Sequence, residues 1–352
     1  MTTIAVLGAG VMASALTFPV AENGHEVRLI GTHLDDAIID SVAATGVHPG
    51  LGVRLDPRVR PYRVTEAAAA FEGADVILLG VNSFGVDWAG EQLAQLLRPG
   101  QHVHVVTKGL RADADGTLSI LPHVLQRAIG PLADQVGWSA VVGPSIAGEL
   151  AVKVPTCVVF AGTDQARLDN LAGLWRTDYY HVWTSLDFVG HETGAATKNV
   201  YAFGQGFADG ILSARGPAEH PYVMFNYSAA LFGQGSVEVH RFVELLGGDP
   251  RTADGLGGVG DMYVTSMGGR NVKAGSLVGR GVPFSEVRND HLAGVTLEGV
   301  AAIGVIGAAL ERLTERGVVG PDDFPLCRFL YRVVTTDAPL EVPWPAFFGG
   351  ER

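Results

Sequence analysis

The chain has 352 residues, 47% of them apolar and only 18% charged, and a formal net charge of −12. A length beyond one typical core with so much apolar material points to two compact domains and excludes an extended disordered protein. The negative balance argues against a general nucleic-acid or acidic-membrane partner, because phosphate backbones attract cationic faces, yet a small phosphorylated molecule still suits a local cluster of cations. Cys157 and Cys327 are too few for a disulfide framework or a thiolate metal site, and the histidines lack metal-binding spacing, so no metal is expected. The first residues enter a strand-like run without a targeting pattern, and the longest apolar helix-like run, 299–310, is too short to span a bilayer. A cytoplasmic protein without membrane insertion is expected.

Short apolar runs alternate with helical spacing through the first half. Ile4–Leu7, Glu26–Ile30, Val76–Gly80, Val103–Val106, Ala140–Val142 and Cys157–Ala161 read as strands, and their continuous apolar character predicts strands covered on both faces. Ala13–Asn23 and Trp88–Leu97 carry helical periodicity between them, so the pattern predicts an α/β domain on a doubly wound, mostly parallel sheet. Tyr180–Trp183 is the last strand candidate. Beyond Asp187 the stretches 192–212, 227–246 and 297–313 are rich in Ala, Gly, Val and Leu at helical spacing, which predicts a mainly α-helical second domain. The expected domains are 1–189 and 190–352, with a Pro-rich tail over 339–350 that packs irregularly or stays partly mobile.

Gly8-Ala9-Gly10-Val11-Met12-Ala13 follows a predicted strand and precedes a predicted helix, the context in which such a run is a dinucleotide-binding turn. Gly8 permits the tight turn, Gly10 lets backbone approach a pyrophosphate, and Ala13 stands where a third glycine is usual. The end of the second strand ordinarily discriminates NAD from NADP, through an acid for the ribose hydroxyls or a base for the 2′-phosphate. Here it reads Gly31-Thr32-His33, satisfying neither rule, and Asp35 and Asp36 are expected to cap the following helix. Lys108, after the fourth predicted strand, lies at the carboxyl edge where open α/β sheets hold ligands, or is an ordinary loop lysine. Gly143-Pro144-Ser145 follows the fifth and by itself signals only a turn.

In the helical half, Lys198 and Asn199 interrupt an apolar run, and a lysine so placed loses hydration and becomes competent to pass a proton. Asp261 is a candidate to hold Lys198. Thr265 follows it, and Arg270-Asn271 present a guanidinium fork and an amide suited to phosphate oxygens. Singly, these residues also fit a helix-terminal arginine, a turn asparagine and a capping aspartate.

Together the motifs resemble the NAD(P)-dependent glycerol-3-phosphate dehydrogenase family over approximately 3–315. The glycine turn, Asn82-Ser83-Phe84, Thr107-Lys108-Gly109, Gly143-Pro144-Ser145, Lys198 to Ala202, Gly260-Asp261, Gly269-Arg270-Asn271 and Glu298-Gly299 stand in the family's order. The resemblance implies a Rossmann domain followed by a helical domain similar to the carboxyl-terminal domain of 6-phosphogluconate dehydrogenase, with the active site between them; the Ala/Gly-rich helices point to a homodimer. The resemblance also implies NAD or NADP as cofactor. By the same resemblance Lys198 is the proton donor or acceptor, with Lys108 and Asp261 as its catalytic support. Gly8, Gly10, Val11, Met12, Lys108, Ala147, Arg270 and Glu298 go to the nucleotide. Lys108, Gly143, Ser145, Asn199, Thr265, Arg270 and Asn271 go to a small phosphorylated substrate.

The implied reaction interconverts sn-glycerol 3-phosphate and dihydroxyacetone phosphate. Asn226-Tyr227-Ser228 lacks the basic residue usual in the family, and the segment before it, with Arg215, Pro217, His220 and Pro221, is longer than expected. That departure keeps open a larger phosphorylated polyol or ketose as substrate. A nucleotide-sensing homologue without turnover and a purely structural helical oligomer, with Lys198 as a satisfied core residue, are the remaining alternatives.

Overall fold

The computed structural model describes residues 1–216 and 223–350, so Pro217, His220 and Pro221 lie outside the described residues. The chain forms two units, Met1–Lys108 with Leu121–Phe188, and Gly109–Ile120 with Val189–Arg352. Among the described residues no helix is long and apolar enough to cross a membrane.

The first unit is built on eight strands: β1 (Thr3–Leu7), β2 (Glu26–Ile30), β3 (Val59–Tyr62), β4 (Val76–Leu79), β5 (His102–Val105), β6 (Gly137–Val142), β7 (Thr156–Gly162) and β8 (Tyr180–Ser185). Their spatial order is β8-β7-β6-β5-β4-β1-β2-β3. The run β3-β2-β1-β4-β5-β6 is the Rossmann order, with the reversal of direction between β1 and β4. All neighbours are parallel except β6 and β7. The apolar strands are continuous because the sheet carries a core on each face: Ile4 and Val6 enter one cluster, while Ala5 and Leu7 enter the other. Each such buried valine, leucine or isoleucine contributes about 1.5–3 kcal/mol.

Two local features depart from the sequence reading. The edge strand β3 was not predicted, since Arg60 and Pro61 break its apolar run; an edge position tolerates both, and the proline lacks an N–H that an outer strand need not donate. The helix predicted over 13–23 is interrupted at Leu16, giving α1 (Val11–Ala15) and α2 (Thr17–Glu22). Pro19 has no N–H for the Ala15 carbonyl, and the Leu16 carbonyl is taken by the Trp175 indole N–H at 3.0 Å. The next helix, α3, spans Asp36–Thr45.

The second unit is mainly helical: α4 (Phe188–Gln205), α5 (Phe207–Arg215), α6 (Phe225–Leu245), α7 (Asp261–Ser266), α8 (Arg270–Gly279), α9 (Glu298–Glu315) and α10 (Pro325–Thr336) are its principal helices. Although α4 begins at Phe188, that residue itself belongs to the first unit. Close packing of α5 on α8 depends on missing side chains, for a methyl on Gly210 would lie 2.0 Å from the Ser276 carbonyl oxygen and one on Gly279 2.4 Å from that of Phe207. A buried carboxylate ties three further segments. Glu238 of α6 accepts the Tyr201 hydroxyl of α4 at 3.0 Å and the amides of Leu326 and Cys327, at the start of α10, at 2.7 and 2.9 Å.

The hairpin Leu110–Ala112 with Leu118–Ile120 belongs to this unit, although the sequence reading assigned it to the first. Its turn residue Gly116 lies against α9, where an added methyl would sit 2.9 Å from the Ala309 carbonyl oxygen, and Arg316 donates to Asp115 and Thr117. The tail is anchored by the Phe348 amide, which donates to the Gln234 side chain at 2.8 Å.

Candidate active site

In the first unit the expected nucleotide residues line the carboxyl crest of the sheet. Gly8 has φ +107, a conformation a side chain resists, and an added methyl would lie 3.0 Å from the Gly80 carbonyl. Ala13 takes the place of a third glycine because the opposing residue has no side chain: a methyl on Gly80 would lie 2.2 Å from the Ala13 Cβ. Gly10 differs, since a methyl there would meet protein only at 3.9 Å. Packing therefore does not require that glycine, and the open space beside its backbone fits a pyrophosphate. Val11 is exposed, while Met12 and Ala147 are half-buried and pack on the same core cluster.

Ala9, at the centre of this turn, is held through both of its backbone groups. Its N–H donates to Asp35 Oδ2 at 3.2 Å and its carbonyl meets His48 Nε2 at 2.9 Å. The Leu51 N–H donates to the other ring nitrogen of His48, so this network assigns the proton to Nε2. Asp35 was expected to cap α3. It stands at the helix start but makes no capping bond; its Oδ2 instead accepts from the Thr32 N–H and hydroxyl, both at 2.8 Å. Asp36 pairs with Arg63 at 3.2 Å.

Further along the crest, half-buried Lys108 follows β5, and the neighbouring Thr107 hydroxyl is fixed on the Val81 carbonyl at 2.6 Å. Asn82 caps the short turn after β4 by accepting the Phe84 and Gly85 amides. Gly143, at φ +122, turns the chain after β6. The Ser145 hydroxyl is buried without a hydrogen-bond partner among the described residues.

In the second unit Lys198 and Asp261 form a buried ion pair. Gly194 lies one turn before Lys198 on α4, and its Cα faces the Gly257–Gly258 backbone, where an added methyl would lie in ordinary contact, 3.4 Å from the Gly257 carbonyl oxygen. Leu256–Gly260 forms a single π-helical turn that leads into α7 at Asp261. Thr265, one turn on, donates its hydroxyl proton to the Asp261 carbonyl at 2.7 Å, which leaves it lone pairs to offer a ligand.

Arg270 and Asn271 begin α8, and Arg270 is exposed. Asn271 Oδ1 accepts the Gly299 N–H at 3.1 Å, so its remaining capacity is the amide's N–H donors, the chemistry a phosphate needs. Gly299 also lies against the Asn199 carbonyl, where a methyl would approach to 2.4 Å, so Asn199, Asn271 and Glu298–Gly299 converge from α4, α8 and α9. Tyr227, in the segment lacking the family's basic residue, is half-buried with its ring edge against Trp344, 5.0 Å between centroids.

Two supports escaped the sequence reading. His48 sits in a short strand outside the main sheet with no motif around it. Gly257 and Gly258, which face Gly194, carry no sequence signal beyond their nearness to Asp261.

Comparison with known proteins gives one consistent result. Residues 3–168 match a family profile described as NAD-dependent glycerol-3-phosphate dehydrogenase N-terminus, and 187–343 match the C-terminus of the same family. The chain is 33% identical over 287 residues to the NADP(+)-dependent glycerol-3-phosphate dehydrogenase of Archaeoglobus fulgidus, covering 82% of this chain and 83% of that one. It is 33% identical over 346 residues to the glycerol-3-phosphate dehydrogenase [NAD(P)+] of Limosilactobacillus fermentum, covering 97% and 95%. Among solved structures, glycerol-3-phosphate dehydrogenase from Coxiella burnetii superposes with a TM-score of 0.78 at 26% identity, covering 96% of each chain.

Proposed function

The chain belongs to the NAD-dependent glycerol-3-phosphate dehydrogenase family, and we propose that it interconverts sn-glycerol 3-phosphate and dihydroxyacetone phosphate with NAD or NADP. The observation that carries the proposal is the buried Lys198–Asp261 pair. It keeps a proton-bearing amine out of bulk water and fixed in position, as general acid–base chemistry requires.

When bound, the nicotinamide cofactor supplies the hydride acceptor or donor. Gly8, Gly10, Val11 and Met12 hold its pyrophosphate on backbone, with Lys108, Ala147, Arg270 and Glu298 as further contacts. Lys198 exchanges the proton of the substrate oxygen, and Asp261 orients the amine and balances its charge. Arg270 and the Asn271 amide bind the phosphate. Thr265, with its proton already donated, suits a substrate hydroxyl, and Asn199, Gly143 and Ser145 complete the contacts. A cytoplasmic homodimer belongs to the same proposal, and light scattering of the purified chain tests its stoichiometry.

Turnover assays with dihydroxyacetone phosphate and with four- and five-carbon ketose phosphates, using each reduced cofactor, test this reading. The three-carbon substrate is expected to give the highest kcat/KM. A better rate on a longer phosphate overturns the substrate, and no turnover on any of them overturns the enzyme reading.

A further inference from the structure

We propose that Asp35 makes this protein selective for NAD over NADP, with its carboxylate serving as the acceptor for the hydroxyls of the adenosine ribose. The inference rests on the dinucleotide reading above and deepens it. The residue directly after β2 is Gly31, which offers no side chain, and the next two, Thr32 and His33, carry no acid. The chain nevertheless supplies one from further along: the loop folds back so that Asp35 reaches the end of β2 and the glycine turn together.

The hydrogen bonds fix this carboxylate asymmetrically. Oδ2 takes three donors, the Ala9 N–H at 3.2 Å and the Thr32 N–H and hydroxyl at 2.8 Å. Oδ1 accepts no hydrogen bond from the described residues. An anchored carboxylate with one oxygen saturated and the other available is matched to a donor such as a ribose hydroxyl. A 2′-phosphate placed there would set a dianion beside a carboxylate whose position the turn itself enforces.

The cation that follows the neighbouring strand does not offset that repulsion. Arg63 follows β3, the strand paired with β2, but its guanidinium is engaged by Asp36 and Asp40 on α3. Asp35, Asp36 and Asp40 thus outnumber the one guanidinium among them. The Archaeoglobus fulgidus relative is named for NADP(+); the proposal gives this chain the opposite preference.

Equilibrium binding of NADH and NADPH to the full-length chain, followed by fluorescence, tests the inference without turnover. The wild type is expected to bind NADH tighter by roughly tenfold or more. Asp35→Asn, which keeps the shape and removes the charge, is expected to narrow that ratio by roughly fivefold or more, with a thermal melt checking that it folds. Competition of ADP against 2′-phospho-ADP on the wild type serves if the variant does not fold, and ADP is expected to bind tighter. Equal or tighter binding of the 2′-phosphorylated ligand, or an unchanged ratio in folded Asp35→Asn, overturns the assignment while the dinucleotide reading stands. Failure of both dinucleotides to bind removes that reading, and the assignment with it.

Discussion

Lys198 and Asp261 face one another inside the helical unit, with side chains only 8% and 4% exposed. Two opposite charges taken this far from water compensate each other's lost hydration, and removing either leaves the other without its compensation. Asp261→Ala is therefore expected to lower unfolding free energy by about 3–5 kcal/mol. The double variant Lys198→Met with Asp261→Leu should recover much of that loss while remaining inactive. Denaturant melts of the single and double variants check this, and a fully stable Asp261→Ala would show that the pair does not bear on folding.

Phosphate recognition separates charge from shape. Arg270→Lys keeps the cation but loses the planar fork, and it is expected to raise KM for the phosphorylated substrate by roughly tenfold or more, as loss of a charge-assisted hydrogen bond does. Steady-state kinetics at fixed cofactor would detect the change, and an unaltered KM would remove Arg270 from substrate binding.

Acid stability should reflect two histidines buried in the sheet. His102 Nε2 and His104 Nδ1 both contact the Ser139 hydroxyl, at 2.6 and 2.7 Å. Burial, reinforced by the charge of Arg167, pushes His102 down to about 4. Burial, with His102 beside it, holds His104 well below the usual imidazole range. The unfolded chain therefore binds these protons first, so stability is retained above about pH 6.5 and falls as pH drops from there toward 4. His102 alone accounts for about 3 kcal/mol of that fall. His102→Gln should flatten the profile of melting temperature against pH over this window; an unchanged slope would contradict the assignment.

Glu238 supplies a structural test near the same helix as Lys198. Desolvation raises its pKa, while the hydrogen bonds it accepts oppose the rise. Glu238→Ala would strand the Tyr201 hydroxyl and the Leu326 and Cys327 amides, at about 1–3 kcal/mol for each buried group left unpaired. Glu238→Gln keeps acceptor capacity and should cost less. Comparable melting temperatures for Glu238→Ala and wild type would contradict the pinning role.

The sheet was legible because Ile4–Leu7 and Val76–Leu79 are apolar at every position, as strands buried on both faces must be. Lys198 stood out because a charge inside an apolar run is unusual, and Arg270-Asn271 because a guanidinium fork beside an amide suits phosphate oxygens. Asp35 was misread for a physical reason: a helix cap and an anchor for the glycine turn are the same residue type before the same helix. Only the backbone fold between Gly31 and Asp35 distinguishes them. The contact of Gly194 with Gly257–Gly258 was equally invisible, since nothing in the local sequence marks which distant backbone a helix residue will face.

The central claim, that the buried amine of Lys198 exchanges the substrate's proton, is tested most directly by Lys198→Ala, with turnover and dinucleotide binding measured on the same preparation. Reduction of dihydroxyacetone phosphate should fall by about 100- to 10,000-fold while the dissociation constant for the cofactor stays close to wild type. Near-normal turnover in a folded, cofactor-binding Lys198→Ala would contradict it.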